Sequence, residues 1–589
     1  MNPTQRPDPA ATLHDAADDT GAADAADAPV VDRLLLGLVA VAVVVGVVLR
    51  FLPRSGLWLD EALSVNISGL PLGDIPDALR RDGHPPLFYV LLHLWQSIGG
   101  DGDGWVRAMS GVASLLTLPL MYLVGRRVGS RPGSGPGRLG AHRTGLLALA
   151  VTAVMPFGIR YGAEARMYAL VILLTAAGYL LVDDLLAARR TGRDRVLVTV
   201  GAALVAAAML WTHYWSMWLL AAVGLLALWR AWRDPEAERR TGARLLIAAL
   251  AVGGVLFLPW VSALLYQSAH TGTPWGDQFG PASVIVFTVV DFAGAKYGAA
   301  HLLTYLLVPL VLLAVFAWIQ RVPTGGRDDS PADDTAAPER ARGIASVGSG
   351  RQQVVLATHV APRVRTELIV LALTLGIGWA AATASGNTFS SRYASGVYPL
   401  FLVAVAAGIA VLRRPLATTV VLAVIVAAGA WGGLGSARGD RSQNGELAEV
   451  IAEDAASVEG PAVVIACPDQ LGVSLQRELT QLDAGTADGG LGDVIPYPAA
   501  GDPRFVDWVD YGDRNESSSP EEFLDRIAPE LPEDATVYLV ASPTYRTFEG
   551  QCEQLQGLLA TQRDMEEAVA IDDGGIDEAA GLWIFRPRA

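Results

Sequence analysis

Eleven apolar runs, each about the length a helix needs to cross a bilayer core, constrain this chain more than any other feature: residues 32–52, 105–124, 143–159, 168–187, 197–213, 216–231, 245–263, 300–320, 366–384, 397–412 and 416–433. In hydrocarbon every backbone polar group must be satisfied within the protein, so runs of this kind predict a polytopic α-helical membrane protein. Composition agrees. Of 589 residues 52% are apolar and 18% charged, and the mean hydropathy of +0.35 is too high for a soluble enzyme of this length. Residues 1–31, acidic, rich in Ala, Pro and Asp and lacking the basic start of a signal peptide, predict a disordered tail. A shorter apolar stretch, PPLFYVLLHLWQSIG (85–99), is expected to be re-entrant or interfacial, because a crossing there would invert every later loop.

Arginine clusters fix the expected orientation. They fall at 125–143, 188–195, 230–244, 340–351 and 413–415, each between runs that the count makes cytoplasmic, which satisfies the positive-inside rule. Loops 53–104, 160–167, 264–299 and 385–396, and everything after 434, then face outward from the plasma membrane, with the N-terminus cytoplasmic. Lys296 is the single lysine, and with abundant Ala, Gly and Asp this is the composition of a GC-rich genome of actinobacterial type. The net charge of −16 comes from the tail, the 327–340 loop and the C-terminal third, and no basic groove for nucleic acid is visible.

Three polar stretches converge on the expected outer face: LDEA (59–62), RRDGHPPL (80–87) and IRYGAEARMYAL (159–170). Ionisable side chains at a membrane boundary cost free energy unless solvated, paired or functional, so their convergence is a site hypothesis. A carboxylate there could act as a general base or hold a divalent metal, while Arg and His neutralise a phosphate. That set suits displacement at a sugar carried on a lipid phosphate.

The Asp60-Glu61 pair, the D-x-H-P-P-L turn, Arg107 opening the next span in GWVRAMSGVASLLTLPLMYLVGRRVG, and the RYGAEARMYAL element together resemble the GT-C glycosyltransferases. Within them the likeness is to the branch of protein O-mannosyltransferases, aminoarabinose transferases and bacterial mannosyltransferases. It rests on specific motifs over roughly 32–190 and on a compatible hydropathy pattern over 190–433. It implies an inverting transferase that moves a sugar, mannose being the expected one, from a polyprenyl-phosphate donor to an envelope glycan, lipid or protein among the membrane lipids. By position, Asp60 matches the family's catalytic base and Glu61 its neighbour, and Glu164 a second acidic position. His84, Arg107 and Arg166 match donor-phosphate residues, with Asp82 orienting His84. Arg392 and Tyr393, in SSRYASGVYP, resemble the clamp for the donor lipid phosphate that related transferases place before a late helix, with Arg392 as the phosphate-binding residue. The O-mannosyl branch continues its turn with Gly-Lys, whereas this chain continues FYVLLHLW, which weakens the case for protein as acceptor.

Each residue also has a plain reading. The Asp-Glu pair could cap a helix; His84 could be an ordinary turn histidine before Pro-Pro; Arg107 and Arg392 could snorkel to the headgroups; Glu164 and Arg166 could be a solvated pair. Tyr161, Tyr168, Tyr393 and His213, the last within the aromatic WTHYWSMW (211–218), are candidate cavity residues, with a membrane-interface belt as the alternative. Asp60, Asp82, Glu164 and His84 could assemble a site for Mg, Mn or Ca, although some relatives work without metal. The loop SAHTGTPWGDQFGPAS (268–283) has the size of a lid.

After 434 the pattern changes to alternating strand and helix. Strands are expected within PAVVIAC, ATVYLVASPT (535–544) and GLWIFRP (581–587), and helices near 445–457, 520–529 and 548–569. This predicts an extracytoplasmic α/β domain over 434–589 beside a membrane domain over 32–433. Cys467 and Cys552 could form a disulfide in an oxidising exterior or remain two buried thiols. An arabinofuranosyl or other pentosyl transferase of the same fold, or a lipid-linked sugar transporter, are the competing functions. A transporter is expected to place ionisable groups near mid-membrane in repeated halves, and neither is visible.

Overall fold

The computed structural model describes residues 33–53, 55–131, 137–272, 279–294, 300–321, 343–347, 352–357, 362–385, 388–412, 414–458, 460–483, 491–542, 550–572 and 574–588. The N-terminal tail, the acidic loop 327–340 and the middle of the lid-sized loop lie outside the described residues.

All eleven apolar runs contribute helix. Among the described residues eight helices are long and apolar enough to cross a membrane, and nine if one bent pair counts as a single span. The remaining two expected spans are Ser216–Arg233, whose last turn carries Arg230 and Arg233, and Ala300–Phe316, which is 17 residues long. The run 300–320 was expected to be helical throughout. Instead the helix stops at Phe316, and β1 (Ala317–Arg321) pairs with β3 (Gln352–Ala357), which also pairs with β2 (Gly343–Val347), in a small antiparallel sheet. The bent pair is the expected span 143–159: the helix Gly137–Val154 ends before Pro156 and resumes as Pro156–Gly162 at 58°. Proline has no N–H to continue the ladder and pushes Met155 to an extended conformation, so the break is written in the sequence.

Helix Tyr398–Val411 lies at the centre of the bundle. Its sequence YPLFLVAVAAGIAV has no polar face, and nearly every residue is buried. Close packing around it uses small residues: a Cβ on Gly408 would sit 1.9 Å from the Leu310 carbonyl oxygen, and one on Gly46 would sit 2.0 Å from that of Ala153. Arg50, buried at the end of helix Arg33–Arg50, donates to Ser114 Oγ and to the carbonyls of Gly46, Thr152 and Ala153, which ties the first span to the break at Pro156.

Between the first two spans lie three short helices, Leu59–Gly69, Ile75–Asp82 and Leu87–Gly99. The last covers the stretch expected to be interfacial, and its 13 residues rise only about 20 Å, short of a bilayer core. Gln96 Nε2 donates to Val65 O, and the stacked Trp95 and Trp105 each donate to the other's carbonyl, so the helix is fastened to its neighbours on both sides. Helix Asp103–Gly129 carries Arg107 near one end and Arg127 near the other, about 30 Å apart. At the far end Arg127 pairs with Asp184 at 2.7 Å and Arg131 with Glu367 at 2.8 Å.

The last apolar helix runs to Arg438, beyond the expected end of its span. The chain then builds a five-stranded sheet in the order β5-β4-β6-β8-β7, from β4 (Ala462–Cys467), β5 (Ile495–Pro496), β6 (Thr536–Ala541), β7 (Arg563–Val569) and β8 (Gly581–Pro587). Strand β4 is parallel to β5 and β6, and β8 is antiparallel to β6 and β7. The expected strands are present. The expected helix over 548–569 is half right: Gln551–Gln562 is helical, and Arg563–Val569 is edge strand β7, which exposes Asp564, Glu566 and Glu567 and buries Arg563. Cys467, at the end of β4, is disulfide-bonded to Cys552 across a separation of 85 residues.

This sheet region is tied to the first-loop helices. Helix Asp469–Asp483 packs on Leu59–Gly69, Arg477 Nη2 donates to Asp103 Oδ1 at 2.8 Å, and Trp508 N donates to Arg81 O.

Candidate functional site

Asp60 and Glu61 open the helix Leu59–Gly69, and one residue of helical rotation sends them to different surroundings. Glu61 is fully buried. Its Oε1 accepts from Arg107 Nε (2.8 Å) and Ala165 N (2.8 Å), and its Oε2 from Arg107 Nη2 (2.6 Å) and Arg441 Nη1 (3.1 Å). Burial pushes this carboxyl up, but Arg107 and Arg441 outweigh it and hold Glu61 down at about 2. Arg107 spends its other donors on the carbonyls of Ser55 and Gly56. Glu61, expected beside the catalytic base, and Arg107, expected at the donor phosphate, hold each other in this structure.

Asp60 is different. Its Oδ2 accepts from Arg392 Nη1 at 2.9 Å and lies 3.8 Å from Arg166 Nη2, while Oδ1 has no hydrogen-bond partner among the described residues. The side chain is 18% exposed. It does not cap its helix. The N-cap is Trp58, without a side-chain bond, and the amide of Leu59 donates instead to Glu578 Oε2 (3.3 Å), from the loop before β8.

The HPPL turn forms a second cluster. His84 Nδ1 and Asp82 Oδ2 are 2.7 Å apart, Tyr89 OH donates to the same oxygen (3.0 Å), and His84 Nε2 is 3.2 Å from Arg166 Nη2. Guanidinium only donates, so in this arrangement Nε2 accepts and Nδ1 carries the proton given to Asp82. Burial would raise the Asp82 carboxyl, but His84 and Arg166, with the bonds from His84 and Tyr89, hold it below the ordinary value. Arg166 is further fixed by Ser64 Oγ at 2.9 Å. His84, Arg166, Asp60 and Arg392 thus form one continuous chain of polar contacts.

Glu164 does not join Arg166, although the sequence places them side by side. It turns away to lie 3.7 Å from both Arg160 Nε and Arg441 Nη1, fully buried, and neither carboxylate oxygen has a hydrogen-bond partner among the described residues. Burial is the main cause of its raised pKa; Arg441 and Arg160 oppose it, and Glu61 and Asp60 add to it. The four residues proposed for a divalent metal are accordingly not gathered: Asp82 belongs to His84, Asp60 to Arg392 and Glu164 to Arg160 and Arg441. Among the described residues no group of three His, Cys, Asp or Glu side chains is placed to hold a metal ion.

The candidate cavity aromatics do come together. Tyr161 and Tyr168 meet edge to face at 4.9 Å, His213 lies between Tyr168 (5.7 Å) and Tyr393 (5.6 Å), and its Nδ1 accepts from Trp215 N. His213 is therefore part of this aromatic wall and touches no acidic ligand. Arg160, Asp291, Ser391, Arg441, Asp577 and Glu578 join this region without a role expected from the sequence. Arg160 had a signal, four residues before Glu164 on one helical turn, and IDEAA at 576–580 repeats the acidic pair of LDEA; Asp291 and Arg441 carry no local sign of their position.

No protein-family model matches the chain, and no curated protein matches it in sequence. Its architecture is nevertheless shared. The crystal structure of ArnT from Cupriavidus metallidurans in the apo state is similar with a TM-score of 0.53 at 13% identity, covering 93% of this chain and 97% of that one. The same protein bound to undecaprenyl phosphate gives 0.51 at 12%, with the same coverage. Over nearly its whole length, the chain has the fold of the GT-C membrane transferases.

Proposed function

We propose that this protein is a multi-pass membrane glycosyltransferase that moves a sugar, mannose in the first instance, from a polyprenyl-phosphate donor to an acceptor hydroxyl at the outer face of the membrane. The observation that carries the reading is the environment of Asp60: a carboxylate oriented through Oδ2 by Arg392, with Oδ1 open, beside the Arg166–His84 pair. Oδ1 takes the proton of the acceptor hydroxyl as that oxygen bonds to the anomeric carbon from the face opposite the phosphate. The bond from the anomeric carbon to the phosphate oxygen breaks, its electron pair stays on that oxygen, and polyprenyl phosphate leaves. Arg166, held in place by His84 Nε2, offers the donors that stabilise the charge gathering there. The undecaprenyl phosphate bound by ArnT supports a lipid of this class, and the histidine at the HPPL turn, as in the O-mannosyl branch, supports mannose.

Two features support the orientation, with the N-terminus in the cytoplasm and the sheet region outside. The arginine-rich helix ends lie at the opposite end of the bundle from Asp60, and the disulfide belongs to an oxidising compartment. The site charges also gather at one end rather than at mid-span, which favours a transferase over a transporter.

The test is transfer of label from polyprenyl-phosphate mannose, and in parallel from the arabinose donor, by membranes holding equal amounts of wild type or Asp60→Asn. Wild-type transfer that falls by about 10²- to 10⁴-fold in the variant is expected. Equal transfer by both removes Asp60 as base, and transfer from the arabinose donor alone replaces mannose by a pentose.

A further inference from the structure

A second polar space adjoins Asp60 through Arg392. It is a cavity of about 180 Å³, the room of one sugar ring, lined by Arg160, Asp291, Ser391, Arg392 and Asp577 over the rings of Phe157 and Tyr161. Its walls are pre-oriented. Ser391 Oγ donates to Asp291 Oδ2 at 2.8 Å, and Arg160 Nη2 donates to Asp577 Oδ2 at 2.6 Å. Arg392 commits Nη1 to Asp60 and leaves the rest of its fork uncommitted among the described residues.

Among the described lining residues two carboxylates stand with two guanidiniums, a set that suits a ligand rich in hydroxyls. Carboxylates accept from adjacent hydroxyls, guanidiniums donate to ring and hydroxyl oxygens, and aromatic rings cover the apolar C–H face. Arg392, which borders this cavity, and Arg166, which holds His84, both meet Asp60 at Oδ2, so the cavity and the Arg166–His84 pair adjoin the same carboxylate. A base belongs at the acceptor hydroxyl, between the leaving phosphate and the body of the acceptor.

We infer that this cavity is the acceptor subsite and takes a carbohydrate, so that the acceptor hydroxyl belongs to a sugar, with Asp577 of the C-terminal region closing the site. The inference rests on the transferase reading for its order of groups, but the binding it requires can be measured without turnover. It also gives the C-terminal region a role in the site, because the loop 574–580 supplies one wall and the same loop caps the helix that carries Asp60 through Glu578.

The experiment is binding of mannobiose to the purified full chain in detergent, by saturation-transfer NMR, for wild type, Asp577→Asn and Ser391→Ala. Thermal unfolding serves as the folding control, because Asp577→Asn also touches Arg160, whereas Ser391→Ala leaves that contact intact. We expect wild type to bind and both variants to bind about tenfold more weakly, as for a site that recognises hydroxyls by hydrogen bonds. In Asp60→Asn, which does not turn over, mannobiose is expected to stay bound when polyprenyl-phosphate mannose is added to saturation. No binding by wild type, equal binding by all three proteins, or displacement by the donor each overturns the acceptor assignment. Binding that behaves as expected, with no transfer from any donor, overturns the transferase reading and leaves a carbohydrate site.

Discussion

Arg107 grips Glu61 through two parallel hydrogen bonds, Nε to Oε1 at 2.8 Å and Nη2 to Oε2 at 2.6 Å, with both side chains buried. Removing Arg107 strips Glu61 of two of its four hydrogen bonds and leaves its buried charge to Arg441 alone among the described cations. Arg107→Ala is expected to lower stability by about 3 to 5 kcal/mol. Thermal unfolding in detergent measures this, and an Arg107→Ala protein that melts like wild type but loses donor binding would return Arg107 to the phosphate.

Asp82 sets which nitrogen of His84 faces Arg166. In Asp82→Asn the amide can accept or donate, so the preference for the proton on Nδ1 weakens, and Nε2 no longer stands ready to accept from Arg166, which loses one of the contacts that aim it at the phosphate. His84→Ala is expected to raise the KM for the polyprenyl-phosphate donor about 10- to 100-fold, the size of one charge-assisted hydrogen bond, with Asp82→Asn a weaker copy of the same change. Initial rates over a donor series decide it, and a fall in kcat at constant KM would place His84 in the chemical step instead.

Glu578 is buried between Ser474, Ser442 and the Leu59 amide, and its pKa rises from 4.5 to about 8, burial being the cause and these hydrogen bonds opposing it. The folded state therefore holds this proton more tightly than the unfolded state, and stability falls as pH rises through that window. Asp469, also raised by burial, to about 6, and Glu164, raised by burial, act in the same direction, so the Glu578 share is the difference between wild type and Glu578→Gln from about pH 6.5 to 8. Melting temperature is expected to drop more steeply across that interval in wild type than in Glu578→Gln. Parallel curves would show that Glu578 is ionised in the fold.

The disulfide between Cys467 and Cys552 closes a long loop that joins β4 to the helix Gln551–Gln562. Replacing both cysteines with serine is expected to cost about 2 to 5 kcal/mol, concentrated in the sheet region. Limited proteolysis checks this: the pair of substitutions should hasten cleavage after residue 439 and leave the apolar helices intact.

The chemistry of this protein was legible wherever it depends on local pattern. Run length and the need to satisfy the backbone in hydrocarbon determined the helical membrane architecture, and strands β4, β6 and β8 followed from their buried apolar runs, whereas the span 143–159 was expected unbroken and bends at Pro156. Asp60, Asp82, His84 and Arg166 stood out because ionisable groups at a membrane boundary need a reason to be there. The sequence could not say which of two adjacent carboxylates is accessible, since a helix turns about 100° per residue and the burial of Glu61 is completed by Arg441, 380 positions away. Nor could it separate Glu164 from Arg166, divide 548–569 between helix and strand, or bring Asp577 and Glu578 back to the start of the first-loop helix. Those facts depend on which distant surfaces meet, and only the folded chain decides that.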